Sequence, residues 1–371
     1  MPFPDATQRS RRCSASSRFR RFPAPSPGLP MSATSPTPPV LLLDATQIAT
    51  LMPVADAIPV MSEMFGALAR EQIHLPLRQI IRPPEALGAK GMLGMMPAFL
   101  GGTASGLPVY GAKVGTFFPG NSTQGKDPHQ GCVLLMSGLT GELLAVMNAA
   151  EITGIRTAAV TGLATRQLAR HNASRLALIG AGHQAHWHLA ALAAARELQH
   201  VRVASRSLAT AQAFVDKEQP NYGFRLEAAQ SVEAAVRDAD IVVTVTNATE
   251  PVLQADWIAP GTHVNLVGSS TPRHREADTA LMARAQLFVD RRESTINESG
   301  DYLAAAAEGR IGPADLLAEL GELVIGQHPG RSDPEAVTLF KSLGMGAQDV
   351  ALAAALYERA QAAGIGTRVA I

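Results

Sequence analysis

Cysteine is almost missing from this 371-residue chain, which holds only Cys13 and Cys132. Two thiols so far apart build no disulfide framework, and their scarcity suits a reducing compartment such as the cytoplasm. An excess charge of either sign is missing as well. The 32 Lys and Arg balance the 32 Asp and Glu, so nothing global draws the chain to nucleic acid or to an anionic membrane. No stretch approaches the roughly 20 uninterrupted apolar residues of a spanning helix, and no membrane partner is expected. The Ala-rich runs 188–196 and 350–363 carry Arg, Glu and Gln and read as ordinary helices. A serine nucleophile elbow, a Walker-type loop and a Cys-x-x-Cys pair are also absent. His183 and His186 lie three apart but have no carboxylate or cysteine beside them in sequence, so no metal site is expected.

What is present reads as globular: 46% hydrophobic and 17% charged residues, in a length that suits two domains. Residues 1–39 stand apart, with Arg9, Arg11, Arg12, Arg18, Arg20 and Arg21 set among Ser and Pro and Asp5 as the one acid. They read as a disordered extension, or as residues upstream of a true start at Met31. Their composition also admits a targeting peptide. Order is expected from Val40, with Asp44 capping a helix that runs through Met52 to Arg70. Strand-like pieces follow at 78–82, 91–96, 110–116 and 131–136, and a Ser-Gly-Leu-Thr-Gly hairpin turn leads into 143–147. This predicts a small α+β domain with antiparallel pairing. A linking helix over 149–171 places Thr153, Arg156, Thr157 and Thr161 near one face.

From 175 the rhythm becomes strand–helix alternation, with near-continuous apolar strands at 241–247 and 263–269 and a shorter one at 287–290. Such runs belong to a parallel sheet buried on both faces. The first strand enters Gly180-Ala181-Gly182-His183-Gln184-Ala185 and then a helix. This is G-x-G-x-x-A in the strand–turn–helix setting of a dinucleotide site. Gly180 allows the tight turn, Gly182 admits backbone to the pyrophosphate, and the helix N-terminus faces the phosphate charge. The second strand ends in Ser205-Arg206-Ser207, where an NAD-selective site usually has an acid. A guanidinium between two hydroxyls suits a 2′-phosphate, hence NADPH, with NADH still open; otherwise Arg206 is a solvated surface residue. Thr244, Thr246 and Gly268-Ser269-Ser270 fall at the carboxyl edge of the same sheet. Helices are expected at 313–325, 334–342 and 346–363, returning to the first domain. The fold class is therefore α/β: a Rossmann-type doubly wound parallel sheet over 151–319, plus a discontinuous α+β domain for substrate and dimerisation at 40–150 and 320–371.

Three cations sit in apolar surroundings: Arg78 after Pro76-Leu77, Lys113 inside the strand 110–116, and Arg156 near Thr153. A charge there is costly unless it meets an anion. Together two or three of them would clamp a substrate carboxylate; separately, each would pair with a structural Asp or Glu.

Several ordered motifs complete the pattern: Met96-Pro97-Ala98, Lys113 with Thr116, Ile155-Arg156-Thr157-Ala158-Ala159 and the glycine turn. Then come Thr246-Asn247-Ala248-Thr249-Glu250-Pro251, Val267-Gly268-Ser269-Ser270, Glu298-Ser299-Gly300-Asp301 and Phe340-Lys341-Ser342-Leu343-Gly344. From about residue 40 to 365 the chain resembles the ornithine cyclodeaminase/mu-crystallin family. The resemblance implies a homodimer with a Rossmann domain inserted between two segments of a substrate domain. It implies Arg78 and Lys113 as ligands of the substrate carboxylate, Lys113 also polarising the substrate, and Leu343 beside it. Cofactor contacts are implied at Thr116, Arg156, Gly180, Gly182, His183, Gln184, Ser205, Arg206, Ser207, Thr246, Ser270 and Ser342.

One departure bears on the chemistry. Ornithine cyclodeaminases carry an aspartate where this chain has Ser270, and His274 replaces a cofactor-contacting lysine. A serine near neutral pH is no carboxylate base. The NADPH-dependent ketimine reductases of the mu-crystallin branch are similar to this chain here and at Ser205-Arg206-Ser207. The resemblance thus implies NADPH-dependent reduction of small cyclic or linear α-imino acids. The alternatives are ornithine cyclodeamination with bound NAD, an alanine-type dehydrogenase, and a non-enzymatic binder of NADPH or a small carboxylate.

Overall fold

The computed structural model describes residues 38–88, 91–102, 106–118, 120–121, 125 and 129–371. The expected N-terminal extension lies outside them, apart from residues 38 and 39. The chain enters strand β1 (Val40–Leu43) and reaches Asp44, which does cap a helix. Its side chain accepts from the Gln47 N–H at 2.8 Å, and the Gln47 side chain accepts from the Asp44 N–H at 3.1 Å. The single helix expected from there to Arg70 is two, α1 (Ala45–Leu51) and α2 (Val54–Ala69), because Pro53 lacks the N–H that would continue the first.

The first sheet continues with β2 (Ile73–His74), β3 (Gln79–Ile81), β4 (Met92–Leu100), β5 (Val109–Phe117), β6 (His129–Ser137) and β7 (Leu143–Asn148). Its order is β16-β1-β7-β6-β5-β4-β2, where β16 is Thr367–Val369 and β3 also pairs with β4. The β1–β7 pair is parallel and the others are antiparallel, as expected for this part of the chain. Strand alternation turns Met96, Ala98, Val109, Val133, Leu135, Ala145 and Met147 to the core. Lys113 has the parity of Val109 and so belongs to that inward face. The opposite face carries Phe99, Tyr110, Val114, Leu134 and Val146, all at least partly exposed. Against the inward face pack α2, α3 (Ala149–Leu168) and the C-terminal helix Gly346–Ala363. Helix α3 is capped by Asn148, which accepts from the Glu151 N–H at 3.0 Å.

The second sheet is wholly parallel and contains β8 (Arg175–Ile179), β9 (His200–Ala204), β10 (Arg225–Ala228), β11 (Ile241–Thr244), β12 (His263–Leu266), β13 (Gln286–Val289), β14 (Leu316–Glu319) and β15 (Thr338–Lys341). Its order, β10-β9-β8-β11-β12-β15-β13-β14, reverses between β8 and β11. That reversal leaves a crevice beyond the carboxyl ends of the two strands, where open α/β sheets bind ligands. Helices α4 (His183–Ala195) and α5 (Leu208–Glu218) follow β8 and β9, matching the sequence reading of an α/β fold.

Two expected helices are strands instead. Residues 313–325 hold β14 and only a short helix, Leu320–Val324, while 334–342 holds β15. In Thr338-Leu339-Phe340-Lys341 every residue is buried, and a β-branched and aromatic run of that length suits the interior of a sheet. The parallel sheet therefore takes a strand from well beyond residue 320, where the return to the first domain was expected. The chain crosses back only after Lys341.

Candidate active site

The glycine turn has the geometry its residue types require. Gly180 adopts φ 115° and donates to the Ala204 carbonyl at 2.8 Å; a Cβ there would stand 2.8 Å from the Val245 carbonyl. Gly182 is the N-cap of α4, with no side-chain cap, and no atom lies within 4 Å of the Cβ it lacks. The backbone is therefore open at Gly182, before the first turn of α4, where the Ala185 N–H donates to the Gly182 carbonyl at 3.0 Å; a helix start of this kind is a setting for a phosphate. Ala185 is fully buried against the sheet, His183 is exposed, and the buried Gln184 Oε1 has no partner. His183 accepts from Trp187 Nε1 at 3.3 Å and His186 pairs with Glu218 at 3.0 Å.

At the end of β9, Ser205 is half-buried and Arg206 exposed, and Arg206 has no partner among the described residues. Ser207 is committed locally, since its hydroxyl accepts from the Thr210 N–H at 3.2 Å and caps α5. These groups fit a nucleotide with a phosphate on its ribose. Arg206 is free to pair with it, Gly182 leaves room for backbone contact, and the buried Ser342 hydroxyl beyond β15 lacks a partner.

Further along the sheet edge, Thr246 and the Gly268–Ser270 segment lie together. A Cβ on Gly268 would fall 2.0 Å from the Thr246 carbonyl. Both segments are held by Glu276, a fully buried carboxylate that sequence reasoning missed. Ser270 is half-buried, and His274 Nδ1 lies 2.5 Å from the Thr271 hydroxyl.

The three cations do converge. Lys113 Nζ lies 3.0 and 3.1 Å from the two oxygens of Asp349, a buried acid on the C-terminal helix, and donates to the Thr153 hydroxyl at 3.2 Å. Arg156 Nε donates to the same carboxylate at 3.2 Å and its Nη1 to Gln348 Oε1 at 2.7 Å. Arg78 Nη2 donates to the Leu343 and Gly344 carbonyls, each at 2.9 Å, and its Nε pairs with Glu298 at 2.9 Å. Gly344 joins the groups: its φ is 76°, and a Cβ would stand 2.2 Å from Arg156 Nη1. The Leu343 and Gly344 N–H groups both donate to Asp290 at 2.7 Å. One short segment is thus gripped by a carboxylate at its N–H side and a guanidinium at its carbonyl side.

Burial lowers the Lys113 pKa to about 8, against the pull of Asp349 in the other direction; Arg156 and Arg78 add to the lowering. Burial also pushes the Asp290 and Glu298 carboxyls up, with Arg78 opposing in both cases. The structure therefore groups Arg156 with Lys113 and Arg78 around Asp349 and Gly344. Thr116 stands three residues past Lys113 on β5, so the pleat turns it to the opposite face. Asp349 and Asp290 were not singled out in the sequence, and Glu298 entered only as part of a motif, with no role. Only the rule that buried cations require counter-charges pointed toward such acids, and it does not say which.

Relatives share this architecture. The profile of the ornithine cyclodeaminase/mu-crystallin family matches residues 41–364. The ketimine reductase mu-crystallin of Mus musculus is 39% identical over 269 residues, 72% of this chain and 80% of the relative. The structure of Thermococcus litoralis Delta(1)-pyrroline-2-carboxylate reductase, in complex with NADH and L-proline, superposes with a TM-score of 0.84 at 33% identity, over 89% of this chain and 100% of that one. An archaeal alanine dehydrogenase dimer with bound NAD gives 0.82 at 32% identity, over 89% and 98% of the two chains. With the glycine turn and the clustered cations in place, the chain belongs to the ornithine cyclodeaminase/mu-crystallin family.

Proposed function

We propose that this protein reduces small α-imino acids, cyclic ketimines such as pyrroline-2-carboxylate and piperideine-2-carboxylate foremost, with NADPH as the reductant. The observation that carries the reading is the cluster of Arg78, Lys113 and Arg156 around Asp349 and Gly344. Asp349 and Glu298 pair with these cations and Asp290 lies near enough to Arg78 to feel its charge, so room for a substrate carboxylate rests on donors left free, not on surplus charge. Arg78 spends Nε and Nη2 on holding its place, and its Nη1 has no partner among the described residues.

The nicotinamide cofactor supplies the hydride. The chain's own residues bind and orient. Arg78 and Lys113 fix the carboxylate, Arg156 adds charge from α3, and Leu343 packs beside the substrate. Holding the reacting carbon in one geometry accounts for much of the acceleration in such a step. Lys113, with a pKa near 8, carries a proton at Nζ at neutral pH and polarises the substrate. A protonated imine needs no carboxylate base, which agrees with Ser270 standing in the place of an aspartate. Arg156, Gly180, Gly182, His183, Gln184, Ser205, Arg206, Ser207, Thr246, Ser270 and Ser342 are the proposed nucleotide contacts, and the unpaired Arg206 supports NADPH over NADH.

In this reading the first sheet and the C-terminal helix form the substrate half, and the parallel sheet the nucleotide half. The half-exposed apolar face with Phe99, Tyr110, Val114, Leu134 and Val146 supports a homodimer built across it. Cys132, a free thiol, fits the reducing cytoplasm.

Loss of nicotinamide absorbance at about 340 nm with the two cyclic ketimines, run with NADPH and NADH side by side, tests the proposal. Saturable turnover favouring NADPH is expected. Inertness toward every imino acid, together with ammonia release from ornithine without added cofactor, would move the protein to cyclodeamination.

A further inference from the structure

Three neighbouring strands, β11, β12 and β15, end at the open edge of the parallel sheet, and one buried carboxylate ties the first two together. Glu276 Oε1 accepts from the Thr246 N–H at 2.8 Å and the Thr246 hydroxyl at 2.7 Å. Its Oε2 accepts from the Thr244 hydroxyl at 2.8 Å, the Gly268 N–H at 2.7 Å and the Ser269 N–H at 3.3 Å. Three of the five partners are backbone N–H groups, which can only donate, so each carboxylate oxygen must accept, and both threonine hydroxyls donate to it as well. The third strand is joined through Asp301. Its Oδ1 accepts from the Glu276 and Ala277 N–H groups, at 2.7 and 3.0 Å, and its Oδ2 lies 3.1 Å from Lys341 Nζ. Glu276, Asp301 and Lys341 are all buried, and Lys341 immediately precedes Ser342 and Leu343. Buried charges cost stability unless they are met, and here Asp301 and Lys341 meet as an ion pair.

We propose that Glu276 is the positioning residue of the nucleotide site, setting the spacing between Thr246 and the Gly268–Ser270 segment without touching the cofactor, with Asp301 and Lys341 bracing it. The inference rests on the nucleotide-dependent reading above. The Thr246 hydroxyl is already spent, donating to Glu276 and accepting from the Ala248 N–H at 3.2 Å. The segment therefore presents a fixed backbone, and its fixity comes from Glu276. Loss of one acceptor oxygen leaves two or three buried donors unmet, and the two segments part to reach water.

The test is Glu276→Gln in the full chain, read by fluorescence titration of NADPH and by steady-state kinetics with a cyclic ketimine. The Kd and KM for NADPH should rise about tenfold, while kcat at saturating nucleotide and KM for the ketimine stay within about threefold. A residue that serves stability alone would lower the melting temperature and leave the nucleotide Kd where it was; that result overturns the inference. Should Glu276→Gln not fold, Thr244→Val removes one donor of the five and keeps its shape. A rise in nucleotide Kd of about threefold supports the inference, and an unchanged Kd overturns it. Wild-type protein that binds neither NADPH nor NADH would sink the nucleotide reading itself. Wild-type binding with an indifferent Glu276→Gln sinks only the role given to Glu276.

Discussion

Lys113 and Asp349, 236 positions apart, meet with Nζ 3.0 and 3.1 Å from the two carboxylate oxygens, the acid wholly buried. The pair sets the charge state of the proposed substrate clamp. Burial lowers Lys113 to about 8 even with Asp349 raising it, so the ammonium is present at pH 7 and lost as the pH climbs through that value. The KM for an imino acid should therefore rise above about pH 8, and kcat should fall over the same range as the proton that polarises the substrate is lost. Asp349→Asn removes the raising influence and should move this limb to lower pH. A KM flat to pH 9.5 would contradict it. The stability sign is opposite to the usual ion pair: the folded pKa lies below the unfolded value of about 10.4. The cost of burying the charge is thus full below about 8 and is relieved as the pH rises toward the unfolded value.

Arg78→Lys keeps the charge and loses the fork. One planar group now reaches the Leu343 carbonyl, the Gly344 carbonyl and Glu298 together, which an ammonium on a flexible stem does not reproduce. The KM for imino acid should rise by about tenfold or more, equivalent to the roughly 1.5–3 kcal/mol of a charged hydrogen bond. The nucleotide KM should not move. Equal shifts in both would place Arg78 outside the carboxylate clamp.

Gly344→Ala is predicted to be among the most damaging single methyl additions. The position needs φ 76°, costing an L-residue about 1–2 kcal/mol, and the new Cβ would lie 2.2 Å from Arg156 Nη1. Melting should fall by several degrees and kcat/KM by a larger factor, since Arg156 and the Arg78 carbonyl ligands move together. A crystal structure of the variant with Arg156 undisplaced would refute the link.

Arg206→Ala should reverse nucleotide preference with little effect on stability, because Arg206 is exposed and holds nothing in place. The ratio of kcat/KM for NADPH over NADH should fall about tenfold or more, the order expected when a charge-assisted phosphate bond is lost. An unchanged ratio would return Arg206 to the role of a solvated side chain.

Val114→Glu places a charge on the half-exposed outer face of the first sheet, away from Lys113 on the inner one. If two copies associate there, light scattering should show a shift from dimer to monomer at micromolar concentration. A variant that keeps the wild-type mass would locate the association elsewhere.

Legibility in the sequence followed the range of the interactions concerned. The glycine turn, the Asp44 cap, the strand–helix alternation and the helix Gly346–Ala363 depend on neighbours within a few residues, and a local pattern records them. The failures were local patterns overruled by distant partners. Residues 338–341 are a strand because β12 and β13 flank them, and β14 exists because β13 offers an edge.

The sequence by itself determined that this chain holds a dinucleotide-type glycine turn between strand and helix, with Arg206 after the next strand, and that Arg78, Lys113 and Arg156 needed anions. Side-chain chemistry and the steric demands of glycine are properties of single positions, so they could be read in order along the chain. Only the tertiary structure decided which acids answered those cations. Asp349 reaches Lys113 and Arg156 from the last helix, Asp290 holds Leu343 and Gly344 from just past the end of β13, and Glu276 spans two strand ends. Each is fixed by long-range packing that leaves no periodic trace, and a buried charge names the sign of its partner but not its address.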